Sequence, residues 1–350
     1  MKSSIIEHIR LSLTLTPFDV CWIPNSTRFV LLGGTPRDYG AFDVYKMYKG
    51  ELQNISRFEH SKPIRCGSFG ATPLSSRYIA FGDAGGYLNL VDPERPSRPL
   101  FNAHAHTGIL HALSACGPAN SSGAPEVATG GSDGFVKLWD FRQNDGPVVD
   151  IEPSEDSQAR ECWAVALGGS FDAYHRTLVC GYDNGDVKMI DLRMGKLTWQ
   201  TNVGGGVVGM EFDTLGRELN KLVVTNLDGF ISVYDIKTFN EQRGYPFVKK
   251  KGHGGTVWRV RHLPDDRDVF CTVGGNGDVK LWKYQYPENR VFIDKEAGDK
   301  YGVAGKIREM TSSTISTQPV CAFDWHPNKS GLAVCGSFDQ SISVLYVTNL

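Results

Sequence analysis

A short apolar segment recurs seven times along the chain, and this repeat constrains the fold more than any other feature of the sequence. The copies are FDVYK (42–46), LNLVD (88–92), VKLWD (136–140), VKMID (187–191), ISVYD (231–235), VKLWK (279–283) and ISVLY (342–346), at intervals of 44 to 63 residues. β-Branched and aromatic residues dominate them, as is typical of strands. Six copies follow a turn segment containing Gly, Asp or Asn, which predicts a β-hairpin in each unit.

Seven units of about four strands each, without a long helical pattern, predict an all-β, seven-bladed β-propeller. The repeats occupy the 350 residues, so we expect one domain over 1–350. The last repeat lies at the end of the sequence and leaves blade seven one strand short, with an exposed edge. We therefore predict that SIIEHIRL (4–11) forms the outermost strand of blade seven and closes the ring. Residues 284–318 are expected as an insertion between blades six and seven.

The segment GGSDGFVKLWD (130–140) also matches the Gly-x-Ser-x-Gly pattern around the nucleophile of serine hydrolases, with Ser132 as the candidate. That motif needs a helix after the serine. Here the serine is followed by Asp-Gly and a β-branched, aromatic run, which predicts a hairpin turn and a strand. The sequence therefore favours a turn residue at Ser132 over a catalyst.

For two other motifs the sequence favours a structural role over ligand binding. GGGVVG (204–209) matches a dinucleotide-binding pattern, but the strand-like MEFDTLG follows it where that motif needs a helix. His104, His106 and His111 have a spacing that could suit a metal, yet no cysteine or acidic partner lies near them in sequence. We expect no metal and no cofactor.

GGSDGFVKLWD, with His106 upstream, and KGHGGTVWRVRHLP (251–264), with VKLW downstream, resemble WD repeats. In that family a histidine, a Ser or Thr, a turn aspartate and a tryptophan form a buried hydrogen-bonded group. The resemblance implies this tetrad only in blade three, as His106, Thr129, Asp133 and Trp139. Blade six has His253 and Trp282 but Asn276 in the turn, so a partial network is expected there.

Composition sets limits on partners and location. The net charge is −2, which predicts no general attraction to nucleic acid or to an anionic membrane. The first residues lack the apolar core of a signal peptide. The eight cysteines are scattered through strand-like segments without a CxxC pair, so reduced core thiols in a cytoplasmic protein are expected. We also expect the protein to be monomeric by itself.

The innermost strand of each propeller blade lines the central channel, so the residues at its entrance face whatever binds the top of the ring. Aligning the seven first strands places there Phe18, Arg65, His111, Trp163, Val208, Trp258 and Cys321. Trp, Phe and Arg dominate interface hot spots. We predict a partner-binding site formed by Phe18, Arg65, His111, Trp163 and Trp258, with Arg65 favouring acidic segments. The alternative is that the tryptophans only fill the channel.

Two short segments support a different function. WDFR (139–142) and IDLR (190–193) resemble the WDxR box of substrate receptors of cullin-type ubiquitin ligases. Under this alternative Arg142 and Arg193 would dock on the ligase adaptor. An arginine after a propeller strand can also simply pair with a neighbouring acid.

Longer segments resemble the WD-repeat assembly factors of axonemal dynein. They include CGSFGATPLSSRYIAFGDAGG (66–86), CGYDNGDVKMIDLR (180–193), GVAGKIREMTSSTISTQP (302–319) and CGSFDQSISVLYVT (335–348). The resemblance implies a non-enzymatic scaffold, a co-chaperone that helps to preassemble dynein arms in the cytoplasm of ciliated or flagellated cells, with the cilium or flagellum as a further location. The implied partners are RuvB-like ATPases, prefoldin-like co-chaperones and axonemal dynein chains.

Overall fold

β-Strands form all the regular secondary structure in the computed structural model, which describes residues 3–117, 125–143, 146–153, 160–169, 174–293 and 299–350. Nowhere in these residues is there a helix long and apolar enough to cross a membrane. Thirty strands, numbered in chain order, form seven four-stranded antiparallel sheets and one two-stranded hairpin. The predicted all-β, seven-bladed propeller is confirmed.

The first strand, β1 (Ser4–Ser12), belongs to the last blade. Blade one consists of β2 (Thr16–Trp22), β3 (Arg28–Gly34), β4 (Gly40–Tyr48) and β5 (Glu51–His60). Blade two consists of β6 (Ile64–Ser68), β7 (Ile79–Asp83), β8 (Tyr87–Val91) and β9 (Phe101–His104). Blade three consists of β10 (Leu110–Cys116), β11 (Glu126–Gly131), β12 (Val136–Trp139) and β13 (Val149–Ile151).

Blade four consists of β14 (Cys162–Gly168), β15 (Thr177–Tyr182), β16 (Asp186–Asp191) and β17 (Lys196–Asn202). Blade five consists of β18 (Val207–Phe212), β19 (Lys221–Asn226), β20 (Phe230–Asp235) and β21 (Phe247–Lys251). Blade six consists of β22 (Val257–Leu263), β23 (Asp266–Gly274), β24 (Asp278–Gln285) and, after the hairpin β25 (Val291–Ile293) and β26 (Lys300–Gly302), β27 (Lys306–Thr314). Blade seven consists of β28 (Val320–Trp325), β29 (Leu332–Ser337), β30 (Ser341–Thr348) and β1.

The position of a strand within its blade explains its sequence. Second strands such as β19 are buried along their whole length, because neighbouring blades cover both faces of the sheet. Fourth strands such as β5 alternate between exposed and half-buried residues, because they form the rim. The seven recurring segments are the third strands, and the turn before each contains one residue with positive φ: Asp38, Gly86, Gly134, Gly185, Gly229, Gly277 and Gln340.

Seven hydrophobic clusters fill the spaces between adjacent blades in the described part of the chain. Each combines side chains of two neighbours. The cluster between blades seven and one contains Ala322, Val334 and Ile342 from blade seven and Val20 and Leu31 from blade one. The ring is therefore closed by packing at this last interface as at the other six.

Closure by the N-terminal strand is also confirmed. β1 pairs antiparallel with β30, from Ser4 opposite Thr348 to Ser12 opposite Ser341. Ile9 and Leu11 of β1 pack against the cluster between blades seven and one. Without β1, the long strand β30 would be an open edge.

The predicted insertion requires a correction, since 284–318 is not one segment between blades six and seven. It begins inside β24 and includes β27, the outermost strand of blade six. What is inserted is 286–305, within blade six. The sequence hid β27 because it is a rim strand, KIREMTSST, in which only one residue is fully buried. The β25–β26 hairpin reaches blade five, where Arg290 pairs with Asp235 at 2.6 Å.

All eight cysteines lie in the described residues and are buried, and none is joined in a disulfide. Burial raises the pKa of the Cys66 thiol to about 12 and that of Cys180 to about 11. The thiolate is the reactive form of cysteine, so these side chains serve as small core residues.

Candidate protein-binding site at the channel mouth

A β-bulge at the start of every inner strand positions the predicted ring. In each blade the register between the first and second strands shifts across one residue, which has no partner on the second strand. The bulged residues are Phe18, Arg65, His111, Trp163, Val208, Trp258 and Cys321. A bulge redirects a side chain out of the pleat. The seven aligned positions therefore share one geometry and lie at the same end of the channel.

These seven side chains line a central cavity of about 830 Å³. Six of them are partly exposed, and only Cys321 is buried. Trp163 and Trp258 thus line the mouth without being enclosed by it. Phe338, in the turn before β30, also lines the cavity, and its ring centroid lies 5.6 Å from that of Trp258. The surface is aromatic, concave and partly exposed to solvent, as binding sites for protein segments often are.

The polar members of the ring differ in how they are paired. The guanidinium of Arg65 lies over the ring of Phe18, 4.2 Å from its centroid. His111 Nε2 lies 3.1 Å from Glu161 Oε2, and the same oxygen accepts a hydrogen bond from the indole N–H of Trp163 at 2.7 Å. Burial lowers the pKa of both His111 and Arg65.

One layer deeper, an ion pair spans the channel wall, and sequence reasoning missed it. Asp19 Oδ2 forms an ion pair with Arg259 Nη2 at 2.8 Å and accepts a hydrogen bond from the Gly67 N–H at 3.0 Å. Asp19 and Arg259 directly follow the bulged residues Phe18 and Trp258. A charged residue within an otherwise apolar inner strand was the available signal, but the sequence does not show that blades one and six, which lie on either side of blade seven, come close enough for an ion pair.

The four tetrad residues of blade three are brought together. His106 Nδ1 lies 2.9 Å from Asp133 Oδ1, and His106 Nε2 lies 2.8 Å from Thr129 Oγ1. The Trp139 indole N–H donates to the same Thr129 oxygen at 3.0 Å. Because the carboxylate only accepts, the proton belongs on Nδ1, so Thr129 donates to Nε2 and accepts from Trp139. Every buried polar atom in this chain of bonds has a partner.

Blade six has the same chain with one link missing. His253 Nε2 lies 2.8 Å from Thr272 Oγ1, which accepts from the Trp282 indole at 2.8 Å. His253 Nδ1 is buried without a hydrogen-bond partner among the described residues, since Asn276 occupies the aspartate position. Burial accordingly lowers the pKa of His253 to about 4. Blade two has a related pair that was not predicted, His60 and Asp83, at 2.8 Å.

The residues of the competing catalytic and ligand-binding motifs form turns, strands and packing contacts. Ser132 lies in the turn before β12, where its hydroxyl accepts a hydrogen bond from the Ile109 N–H at 2.9 Å. GGGVVG leads into the strand β18. His104 packs edge-on against Tyr87, with 4.9 Å between ring centroids.

The two candidate ligase boxes differ from each other. The Arg142 guanidinium forms two-pronged hydrogen bonds with Asp140, at 2.6 and 2.9 Å, so its charge is already paired. Arg193 is exposed, and its backbone N–H donates to Asp191 at 2.8 Å. These contacts are those of arginines that stabilise the turn after a strand.

Comparison with known families defines the class of protein first. A model of the WD domain, G-beta repeat, matches residues 97–140 and 244–283. These ranges cover most of blades three and six, the two blades in which a histidine, a threonine and a tryptophan are joined by hydrogen bonds. The chain is therefore a WD-repeat propeller.

Full-length relatives then define the family. The chain is 44% identical over 350 residues to dynein axonemal assembly factor 10 of Homo sapiens and 43% identical over 351 residues to that of Chlamydomonas reinhardtii, in both cases over 100% of this chain and 98% of the relative. Dynein axonemal assembly factor 10 of Dictyostelium discoideum is 22% identical over 98% of this chain. The chain belongs to the dynein axonemal assembly factor 10 family.

Proposed function

We propose that this protein is an interaction scaffold for the assembly of axonemal dyneins, and that it works by binding rather than by catalysis. Relatives across almost the whole length of the chain are named dynein axonemal assembly factors. The propeller offers a rigid ring with a binding surface on each face and around the rim, an architecture suited to holding several proteins together. The function is carried out in the cytoplasm, before the arms reach the cilium or flagellum.

One observation carries the proposed site. Seven bulges direct seven side chains to one end of the channel, and the partly exposed ones include Phe18, Trp163 and Trp258. Leaving large aromatic rings exposed to water forgoes the hydrophobic stabilisation that a partner covering them would provide. Aromatic side chains that are partly exposed in a concave pocket are typical anchors for protein partners.

We propose three groups of partners for this surface and for the rim: RuvB-like ATPases, prefoldin-like co-chaperones and axonemal dynein chains. The role is that of a co-chaperone adaptor, which holds a dynein chain near ATP-driven chaperones. A rigid propeller changes shape little on binding, so the ordering cost falls mainly on the partner. The ligase alternative lacks comparable support, because Arg142 is paired with Asp140.

The decisive experiment is affinity purification from ciliated cells with the Trp163→Ala/Trp258→Ala double variant. We expect the folded variant to lose dynein chains or the chaperone partners, because two aromatic anchors of the channel mouth are removed. Val208→Ala, which truncates a small side chain at the same ring, is the matched control and should retain them. Circular dichroism and the melting temperature report folding.

Retention of every partner by a folded double variant would refute the site and direct attention to the blade rims and to 286–305. Recovery of a cullin and its adaptor with the wild type, lost on Arg142→Ala, would instead support the ligase receptor.

A further inference from the structure

Arg65 is distinguished from the other arginines of the channel by the absence of a counter-ion. Across the described residues, no carboxylate lies within ion-pair distance of its guanidinium, and the guanidinium makes no hydrogen bond. The guanidinium lies over the face of Phe18, 4.2 Å from the ring centroid. The side chain is nonetheless partly buried at the channel mouth.

The neighbouring charges are already satisfied. Arg259 pairs with Asp19 at 2.8 Å, and Arg261 with Glu211 at 3.5 Å. Glu161, an acid that lines the mouth, lies 3.1 Å from His111 Nε2 and accepts a hydrogen bond from the Trp163 indole N–H. These acids therefore have donors of their own, and Arg65 is left with unfilled hydrogen-bond donors.

A second donor among the residues that line the cavity lacks an acceptor. The indole N–H of Trp258 is buried and has no hydrogen-bond partner among the described residues. Trp258 and Arg65 line one cavity. Buried donors without acceptors cost free energy, and a ligand that supplies acceptor oxygens would offset that cost.

The position of the Arg65 guanidinium over the Phe18 ring indicates which acceptor group of a partner would fit. A guanidinium stacked on an aromatic face keeps its edge open, and that edge forms two parallel hydrogen bonds with one carboxylate. A single cation surrounded by aromatic walls suits one acid next to an apolar side chain, whereas a polyanion would find too few cations. A cavity of about 830 Å³ has room for several side chains of an extended segment.

We propose that Arg65, which lies over the ring of Phe18, binds an Asp or Glu side chain of a protein partner, and that an adjacent apolar side chain of that partner enters the channel between Trp163 and Trp258. This inference rests on the proposed function, in which the mouth is the docking site. It adds the chemistry of the docked segment: an extended peptide with an acid beside an apolar residue.

The test begins with selection of a random dodecapeptide phage library on the full-length protein. Peptides enriched on the wild type should share an Asp or Glu beside an apolar residue. On Arg65→Glu the acid should disappear from the shared motif or be replaced by Lys or Arg. A wild-type selection that yields no motif, or a motif unchanged on Arg65→Glu, overturns the proposal.

Affinity of one enriched peptide, labelled with fluorescein, then measures the contact by anisotropy. Arg65→Gln should weaken binding about 10- to 100-fold, as expected for loss of a charge-assisted bond. Arg65→Lys should fall between, because it keeps the charge without the planar fork. Lys62→Gln removes an exposed positive charge three residues away and should change affinity by less than about twofold, as expected of an exposed charge. Equal losses of affinity for Lys62→Gln and Arg65→Gln would mean that only the overall electrostatic potential of the surface matters, and would overturn the proposed contact.

The two proposals fail in different ways. If Trp163→Ala/Trp258→Ala loses the cellular partners while the peptides show no acid preference, the docking site stands and the carboxylate contact is wrong. If the double variant keeps its cellular partners while Arg65→Glu changes the peptide motif, the carboxylate contact stands and the proposed docking of those partners is wrong.

Discussion

The hydroxyl of Ser343 donates a hydrogen bond to the carboxylate of Glu7 at 2.6 Å, although 336 positions separate them. Glu7 lies in β1 and Ser343 in β30, so this bond joins the two ends of the chain across the last blade. Arg10, also in β1, adds an ion pair with Asp339 at 2.6 Å. The ring is closed by contacts that form only after nearly the whole chain is in place.

Removing residues 1–14 is therefore expected to destabilise the protein strongly. The deletion removes eight paired positions of the β1–β30 ladder. At ~0.5–1.5 kcal/mol per hydrogen bond, the loss is on the order of 5 kcal/mol. The melting temperature should fall by about 5–10 °C, with aggregation through the exposed edge. A soluble truncation with an unchanged melting temperature would contradict this.

Single substitutions in β1 separate packing from pairing. Ile9 packs against the cluster between blades seven and one, whereas Ile6 points outward and is 49% exposed. Ile9→Ser should lower the melting temperature clearly, and Ile6→Ser should leave it nearly unchanged. Differential scanning calorimetry of both variants gives the comparison.

The second prediction concerns the tetrad of blade three. Trp139→Ala removes a ring that is 3% exposed and leaves Thr129 without its indole donor. The expected cost is about 3–5 kcal/mol in the free energy of unfolding. Trp139→Phe keeps most of the packing and loses only the N–H, so it should cost about 1–2 kcal/mol. Urea unfolding should resolve the two, and equal costs would show that the hydrogen bond, not the ring, dominates.

The fold was accessible from the sequence because buried strands carry their own signal. Each third strand is covered on both faces, so it must be apolar, and the turn before it must accommodate a positive φ, as at Gly134. The rim strands lack this constraint. β27 is mostly exposed and polar, and for that reason the sequence suggested an insertion where blade six has its fourth strand.

The site was only partly accessible for a related reason. Aligning the inner strands found the bulged positions, such as Trp163, because a position in a repeat predicts a position in space. Pairs between blades that are not neighbours, such as Asp19 of blade one with Arg259 of blade six, depend on how the ring closes. No local pattern encodes that distance, so the unpaired state of Arg65 could not be deduced from sequence.

The third prediction uses the missing link of blade six. Asn276→Asp should supply an acceptor for the unpartnered His253 Nδ1–H and complete the chain to Thr272 and Trp282. We expect a gain of about 0.5–1.5 kcal/mol in the free energy of unfolding and a rise in the His253 pKa from its lowered value. Denaturant unfolding and NMR titration of the imidazole measure the two effects.

The reverse change in blade three is the matched control for Asn276→Asp. Asp133→Asn removes the carboxylate that His106 Nδ1 contacts at 2.9 Å, and should destabilise by at least the same amount. If Asn276→Asp leaves stability and the His253 pKa unchanged, the histidine does not use this position as its partner in blade six.

An acid in the channel wall leads to the fourth prediction, the pH dependence of stability. The Asp324 carboxylate accepts a hydrogen bond from the backbone N–H of Trp22 at 2.8 Å. Burial raises the pKa of Asp324 from 3.8 to about 7, against the opposing effects of Arg261 and of the bond from Trp22; Asp19 and Glu211 raise it further. The folded protein therefore holds this proton more tightly than the unfolded chain does.

Because the folded state binds the extra proton between about pH 4 and pH 7, raising the pH through this interval lowers the free energy of unfolding. Asp324→Asn abolishes this contribution while its side-chain oxygen can still accept from the Trp22 N–H. The free energy of unfolding of the variant, relative to that of the wild type, should therefore rise by about 1–3 kcal/mol between pH 5 and pH 8. Asp265→Asn, at an exposed turn, should follow the wild-type curve. Urea unfolding from pH 5 to pH 8 tests this, and a constant difference between Asp324→Asn and the wild type across that range would show that the carboxyl does not titrate there.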